Sequence, residues 1–102
     1  MSSGIALERL KVGNDIGREA LEEKLLSLRY QKREFVVRPG EFAARGATYD
    51  IYPVTYRAPI RLEFQSDTLV SIRDFSPADG KSMTNFEEVF LIPVSETFEK
   101  KI

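Results

Sequence analysis

The most regular signal in the chain runs from Ile60 to Gln65, where Ile60, Leu62 and Phe64 alternate with Arg61, Glu63 and Gln65. A period of two is that of a half-buried β-strand, which sends successive side chains to opposite faces. Leu21, Leu25 and Leu28 recur instead at i, i+4 and i+7, the spacing of one apolar stripe on a helix, and predict a helix from about Arg18 to Leu28. Gly17 stands at the N-cap position and Glu19 suits the positive end of the helix dipole. Burying three leucines is worth roughly 1.5–3 kcal/mol each, more than any propensity term, so the helix needs a sheet to lie on.

The rest of the pattern supplies that sheet. Strands are expected over Ile5–Val12, Tyr30–Arg38, Glu41–Arg45, Ala47–Tyr52, Ile60–Gln65, Leu69–Phe75 and Glu88–Ile92. Turns are expected at Gly13-Asn14-Asp15, Pro39-Gly40 and Ser66-Asp67, and loops at 53–58 and 76–80. Gly46 suggests a bulge or a close backbone approach. Short connections imply mostly antiparallel pairing. The fold class expected is α+β: two layers, a mostly antiparallel sheet with one main N-terminal helix on one face.

Parity then points to a site. With Phe35, Val37, Phe42, Ala44, Ile60, Leu62 and Phe64 directed to the core, Lys32, Glu34, Arg45, Arg61, Glu63 and Gln65 face outward. Lys32, Arg45 and Arg61 would share one solvated face, with Glu63 and Gln65 beside them. Read plainly, this is a set of solvated strand residues making weak cross-strand ion pairs. Read for function, it is a charged docking surface, because the planar arginine fork pairs with carboxylates at two points.

Composition narrows the chemistry. The 102 residues are enough for one domain with one core. The chain has no cysteine and no histidine, which removes disulfides, thiolate zinc sites, cysteine nucleophiles, the Ser-His-Asp triad and most transition-metal sites. Fifteen basic residues nearly cancel sixteen acidic ones, so nucleic acid would need a local patch. No apolar run approaches membrane-spanning length, and the start, Met1 to Gly4, has no secretory pattern and reads as a cloning scar or a cut inside a larger protein. The end, Glu99-Lys100-Lys101-Ile102, stops without a cap. A binding module is favoured over an enzyme, with no cofactor, no metal and no nucleotide. Gly40 and Gly46 lack the pattern of a phosphate cradle.

The stretch Arg38-Pro39-Gly40-Glu41-Phe42-Ala43-Ala44-Arg45-Gly46-Ala47-Thr48-Tyr49-Asp50-Ile51-Tyr52-Pro53 resembles the PGEF-x-x-RG-x-x-x-DI-[FY]-P signature of the UvrB interaction module. That module is shared by the excinuclease component UvrB and the transcription-repair coupling factor. Leu10-Lys11-Val12-Gly13, Leu21, Leu25 and Tyr30 resemble the family's strand, helix and closing tyrosine. Ile60-Arg61-Leu62-Glu63-Phe64, Ile72-Arg73-Asp74-Phe75, Ala78-Asp79-Gly80-Lys81-Ser82 and Leu91-Ile92-Pro93-Val94-Ser95 continue the match, which covers about residues 8–96.

The resemblance implies a non-catalytic domain that docks the nucleotide excision repair protein UvrA. It implies a single domain over 1–102 cut from a larger cytoplasmic, bacterial DNA translocase, with RNA polymerase and DNA reached only through other parts of the parent, and a monomer in isolation. UvrB often carries a second arginine where Ala43 stands and the coupling factor a small residue, so the sequence resembles the coupling factor more. Carried over by position, Arg45 is the arginine of the "RG" pair and Arg61 the arginine before the [IV]-E-F run. Gln65 stands in place of an aromatic, Lys32 in place of an arginine, Arg29 in place of a glycine at the helix end, and Gly17 in place of an aspartate cap.

Other readings compete. Asp50 suits a catalytic acid or, more plainly, a partner for the backbone or for an arginine near the turn. Glu41, Glu63 and Asp67 lack the clustering of a carboxylate pair or hard-cation site. Phe42, Tyr49, Tyr52 and Phe64 suit core or turn packing, and Phe86, Val89, Phe90 and Leu91 core and edge strand. A related docking domain of peptidoglycan synthases, a small hydrolase and a direct DNA binder are the remaining alternatives.

Overall fold

Ten residues, Arg18–Ser27, form the one helix (α1) of the computed structural model, which describes residues 7–94. Leu21, Leu25 and Leu28 of its stripe are fully buried. Its C-terminus closes as a Schellman motif. Arg29 N–H donates to the Leu26 carbonyl at 3.0 Å, Tyr30 N–H donates to the Leu25 carbonyl at 2.9 Å, and Arg29 takes the left-handed conformation at φ 73°. The helix therefore stops one residue earlier than the leucine spacing suggests, with Leu28 as its C-cap.

Among the described residues eight strands accompany it: β1 (Glu8–Lys11), β2 (Gln31–Lys32), β3 (Glu41–Arg45), β4 (Thr48–Ile51), β5 (Ile60–Gln65), β6 (Thr68–Phe75), β7 (Ser82–Phe86) and β8 (Glu88–Leu91). They form a six-stranded sheet in the order β2-β3-β4-β5-β6-β7 and a separate β1-β8 ribbon. Every pairing is antiparallel except β2 with β3. The three helix leucines, Leu10, Val89 and Leu91 of the ribbon, and Phe42, Ile51, Ile60, Leu62, Phe64 and Ile72 of the sheet form one core. The sheet thus has an inner face against α1 and the ribbon, and an outer face turned away from them. The α+β class and the two layers agree with the hydrophobic pattern.

Three expectations are corrected. The strand expected over Tyr30–Arg38 is only Gln31–Lys32, and Phe35 and Val37 lie exposed while Val36 is buried. The cause is the parallel pairing. Gln31 sits opposite Glu41 and Lys32 opposite Phe42, so the chain must travel back before β3 can begin. Residues 33–40 make that return, and Val36 packs on the outer face with Ala43 and Phe75. The Arg33 and Gly40 amides at its ends donate to the Phe42 and Tyr52 carbonyls, and between them the Val37 and Arg38 amides donate to a side chain, Glu41 Oε1, at 2.8 and 3.0 Å.

Strand β7 was not expected, because Ser82, Thr84 and Asn85 of this edge are exposed and leave no apolar alternation to read. No bulge occurs at Gly46, since β3 and β4 pair without a shift from Phe42↔Ile51 to Arg45↔Thr48. Gly46 and Ala47 form the two-residue hairpin turn, with Gly46 at φ 59° and Ala47 outside the left-handed region, the pattern of a type II′ turn. Shifts occur instead between Glu63 and Phe64 and between Arg73 and Phe75. Ile5 and Ala6 of the first expected strand, the leader Met1 to Gly4, Ser95 and the chain end at Ile102 lie outside the described residues. Among the described residues no helix is long and apolar enough to cross a membrane.

Candidate functional site

Two rows of side chains cross the outer face. Strand register aligns Arg45, Thr48, Glu63 and Ser71 in one row, and Ala43, Asp50, Arg61, Arg73 and Asn85 in the next. Asp50 sits at the centre and is 3% exposed. Arg61 grips it with both ends of its fork, Nε to Oδ1 at 2.7 Å and Nη2 to Oδ2 at 3.0 Å. Arg45 reaches the same carboxylate from β3, Nη2 to Oδ2 at 2.8 Å. Farther along, Arg73 Nη2 donates to Glu63 Oε2 at 3.0 Å.

Burying a carboxylate is costly unless it is paired and hydrogen-bonded. Here one carboxylate is shared by two guanidiniums, which fixes both of them beside each other at the surface. The hydrogen bond to Asp50 holds the Arg61 guanidinium above its usual pKa against the opposing effect of burial, so it is charged throughout. Three guanidiniums face two carboxylates, leaving this cluster one net positive charge. Arg45 spends a single nitrogen on Asp50, and its Nε and Nη1 have no protein acceptor among the described residues.

Aromatic rings back both arginines. The Arg61 guanidinium carbon lies 4.5 Å from the centroid of Phe75, and that of Arg45 lies 6.0 Å from the centroid of Phe35. Phe35, Arg45, Asp50, Arg61 and Phe75 line a shallow concavity of about 240 Å³, rimmed by Pro77 and Gly80.

Parity thus brings Arg45, Arg61 and Glu63 together, and Gln65 lies exposed at the end of the same strand, opposite Thr68. Lys32 is a correction. Its β2 position pairs with Phe42, whose ring is in the core, so its side chain leaves on the helix side and its Nζ donates to Glu22 Oε2 of α1 at 2.8 Å. The expectation fails there because it takes Phe35 and Val37 as core residues and counts parity from them. Asp50 pairs with two arginines, in keeping with the plainer of its two readings. Sequence reasoning missed the hub role of Asp50, although its place opposite Arg61 follows from the register of two adjacent strands. The contribution of Phe35 and Phe75 had no signal in the alternation.

Comparison with known proteins places the chain in a family. The sequence profile of the UvrB interaction domain matches residues 9–97. The transcription-repair-coupling factor of Myxococcus xanthus is 38% identical over 88 residues, 86% of this chain and 7% of that protein. That of Bacillus subtilis is 34% identical over 87 residues, 85% of this chain and 7% of that protein. UvrABC system protein B of Treponema denticola is 32% identical over 84 residues, 82% of this chain and 13% of that protein. The chain therefore spans a small part of the length of these relatives. Over nearly all of its own length, the chain belongs to the UvrB interaction domain family, homologous to segments of both the coupling factors and UvrB.

Proposed function

We propose that this domain docks the repair protein UvrA through the outer sheet face, with Arg45 and Arg61 as the principal contacts and Glu63 and Gln65 at their margin. The observation that carries this reading is the pair of guanidiniums fixed side by side on Asp50 at an exposed face. Such a pair offers oriented donors to an acidic partner surface, which speeds encounter through charge and holds the complex through charge-assisted hydrogen bonds. The chain acts without catalysis, as a single docking domain over 1–102 of a longer protein.

The coupling factor is the favoured parent over UvrB. What supports this is Ala43, a small residue packed with Val36 and Phe75 on this face where UvrB often carries a second arginine. In that parent the domain brings UvrA to a stalled RNA polymerase in the bacterial cytoplasm. The translocase ATPase, polymerase contacts and DNA contacts then belong to other domains.

The test is titration calorimetry of the 102-residue chain with purified UvrA. Arg45→Glu and Arg61→Ala should each weaken binding at least tenfold, about 1.4 kcal/mol, while the circular dichroism spectrum stays unchanged. Wild-type affinity in both folded variants would end this reading.

A further inference from the structure

Phe35 and Val37 are the most exposed large hydrophobic side chains among the described residues, each at 67%. They sit on the return segment 33–40, and the segment is not loose. The Arg33 amide donates to the Phe42 carbonyl at 2.8 Å, and the Val37 and Arg38 amides donate to Glu41 Oε1. Between those anchors Val36 is buried beside Ala43 and Phe75. A ring held out on a pinned segment is presented to water at little further ordering cost on binding.

The two exposed residues serve different surfaces. Val37 lines a separate concavity with Arg29, Arg33 and Arg38. Phe35 turns to the outer face, where it meets Arg45 and lines the same concavity as Asp50, Arg61 and Phe75. An exposed ring beside a guanidinium with spare donors forms one composite surface, half apolar and half cationic.

We infer that Phe35 is the apolar contact of the docking face, and that the segment of UvrA received there places an aliphatic or aromatic side chain next to a carboxylate. This inference rests on the UvrA-docking reading and names the chemistry of that same site. Charge favours a protein over nucleic acid as the occupant. The cluster's single net positive charge matches one carboxylate and not a run of phosphates, and the chain's formal net charge is −1.

The experiment titrates the chain with purified UvrA at low and at physiological salt. It compares wild type with Phe35→Ala, Phe35→Leu, Arg45→Ala and, as a control on the separate ribbon, Phe90→Ala. Phe35→Ala should lose about tenfold or more in affinity at both salt concentrations, as a truncated hot-spot aromatic does. Phe35→Leu should keep most of the affinity. Arg45→Ala should lose more at low salt than at high, because its charge is screened. Phe90→Ala should bind as wild type. Wild-type affinity for Phe35→Ala beside a weakened Arg45→Ala overturns the role of Phe35 alone. Wild-type affinity in both overturns the docking reading beneath it. A short single-stranded oligonucleotide that binds wild type and not Phe35→Ala overturns the choice of a protein occupant.

Discussion

Replacing Asp50 with asparagine removes one charge from the centre of the outer face and keeps its shape. The wild-type carboxylate accepts three bonds, at 2.7, 2.8 and 3.0 Å, from two guanidiniums. Asparagine keeps one acceptor oxygen, enough for the Arg61 Nε–H, while its amide N–H groups confront the remaining donors. Charge-assisted bonds of this kind contribute about 1.5–3 kcal/mol each when both partners are shielded from water. Shielding is incomplete here: the Arg45 side chain is 46% exposed and that of Arg61 26%, so both can turn toward solvent. Losing two bonds at about half strength gives an expected destabilisation of about 2 kcal/mol, or a Tm about 10 °C lower in a domain of this size. Urea and thermal unfolding followed by circular dichroism read this directly. Binding separates two accounts of the site. Asp50→Asn raises the net charge by one, so simple long-range attraction to an acidic partner would strengthen. If the carboxylate's task is to aim the guanidiniums, affinity for UvrA falls despite the added charge. A variant within about 0.5 kcal/mol of wild-type stability, or one that binds more tightly, would refute the hub assigned to Asp50.

Arg29→Gly should stabilise the chain by about 0.5–1 kcal/mol, since glycine adopts the φ of 73° required at this helix end without the steric cost an L-residue incurs there; a Tm unchanged or lowered contradicts this. Burial raises the pKa of Glu41, but the Val37 and Arg38 amides and the Arg33 guanidinium outweigh it and hold the carboxyl below its ordinary 4.5. A depressed folded pKa contributes stability that is present above about pH 4.5 and is lost as pH falls through the folded value. Glu41→Gln should therefore flatten the acid limb of the urea midpoint plotted against pH, and an unchanged limb contradicts the assignment. Lys32→Ala should alter stability by less than about 0.5 kcal/mol, because its partner pair with Glu22 is solvent-exposed at the lysine, and should leave UvrA affinity unchanged, because Lys32 points to the helix layer. Weakened binding would put Lys32 back in the docking surface.

What the sequence made legible depends on which periodicity governed each segment. In β5 every other side chain enters one deep core, so alternation located the strand, its face and Arg61 together. The helix was equally plain from Leu21, Leu25 and Leu28, because three turns bury one stripe. The segment Phe35-Val36-Val37 has the composition of a strand and the job of a return connection, and composition does not distinguish the two. What decides it is long-range: β2 pairs parallel with β3, and only the distance the chain must retrace turns these residues into a crossing. That same crossing displaced Lys32 from the group and brought Phe35 into it.

The site has the same logic one level higher. Alternation says that Arg45 and Arg61 leave the sheet on one side, yet parity alone gives two solvated cations that repel each other. Opposing Arg61 with Asp50 across β4 and β5, and setting Arg45 two residues along β3 from Ala43, converts repulsion into a bridge. A bridge of this sort is not self-sufficient as a source of stability, because removing three charged groups from full hydration offsets much of their attraction. Its distinctive consequence is orientation: the fork of Arg61 is committed to Asp50, the fork of Arg45 is committed only in part, and the rings of Phe75 and Phe35 back one guanidinium each. Arg45 is therefore the arginine with donors to spare, and Arg61 the one that keeps Asp50, and through it Arg45, in place. The two should separate in a double-mutant cycle with UvrA. Arg61→Ala should cost more affinity when Arg45 is present than once Arg45 is already alanine, the excess measuring its hold on Arg45 through Asp50, whereas strictly additive losses would show two contacts without that link.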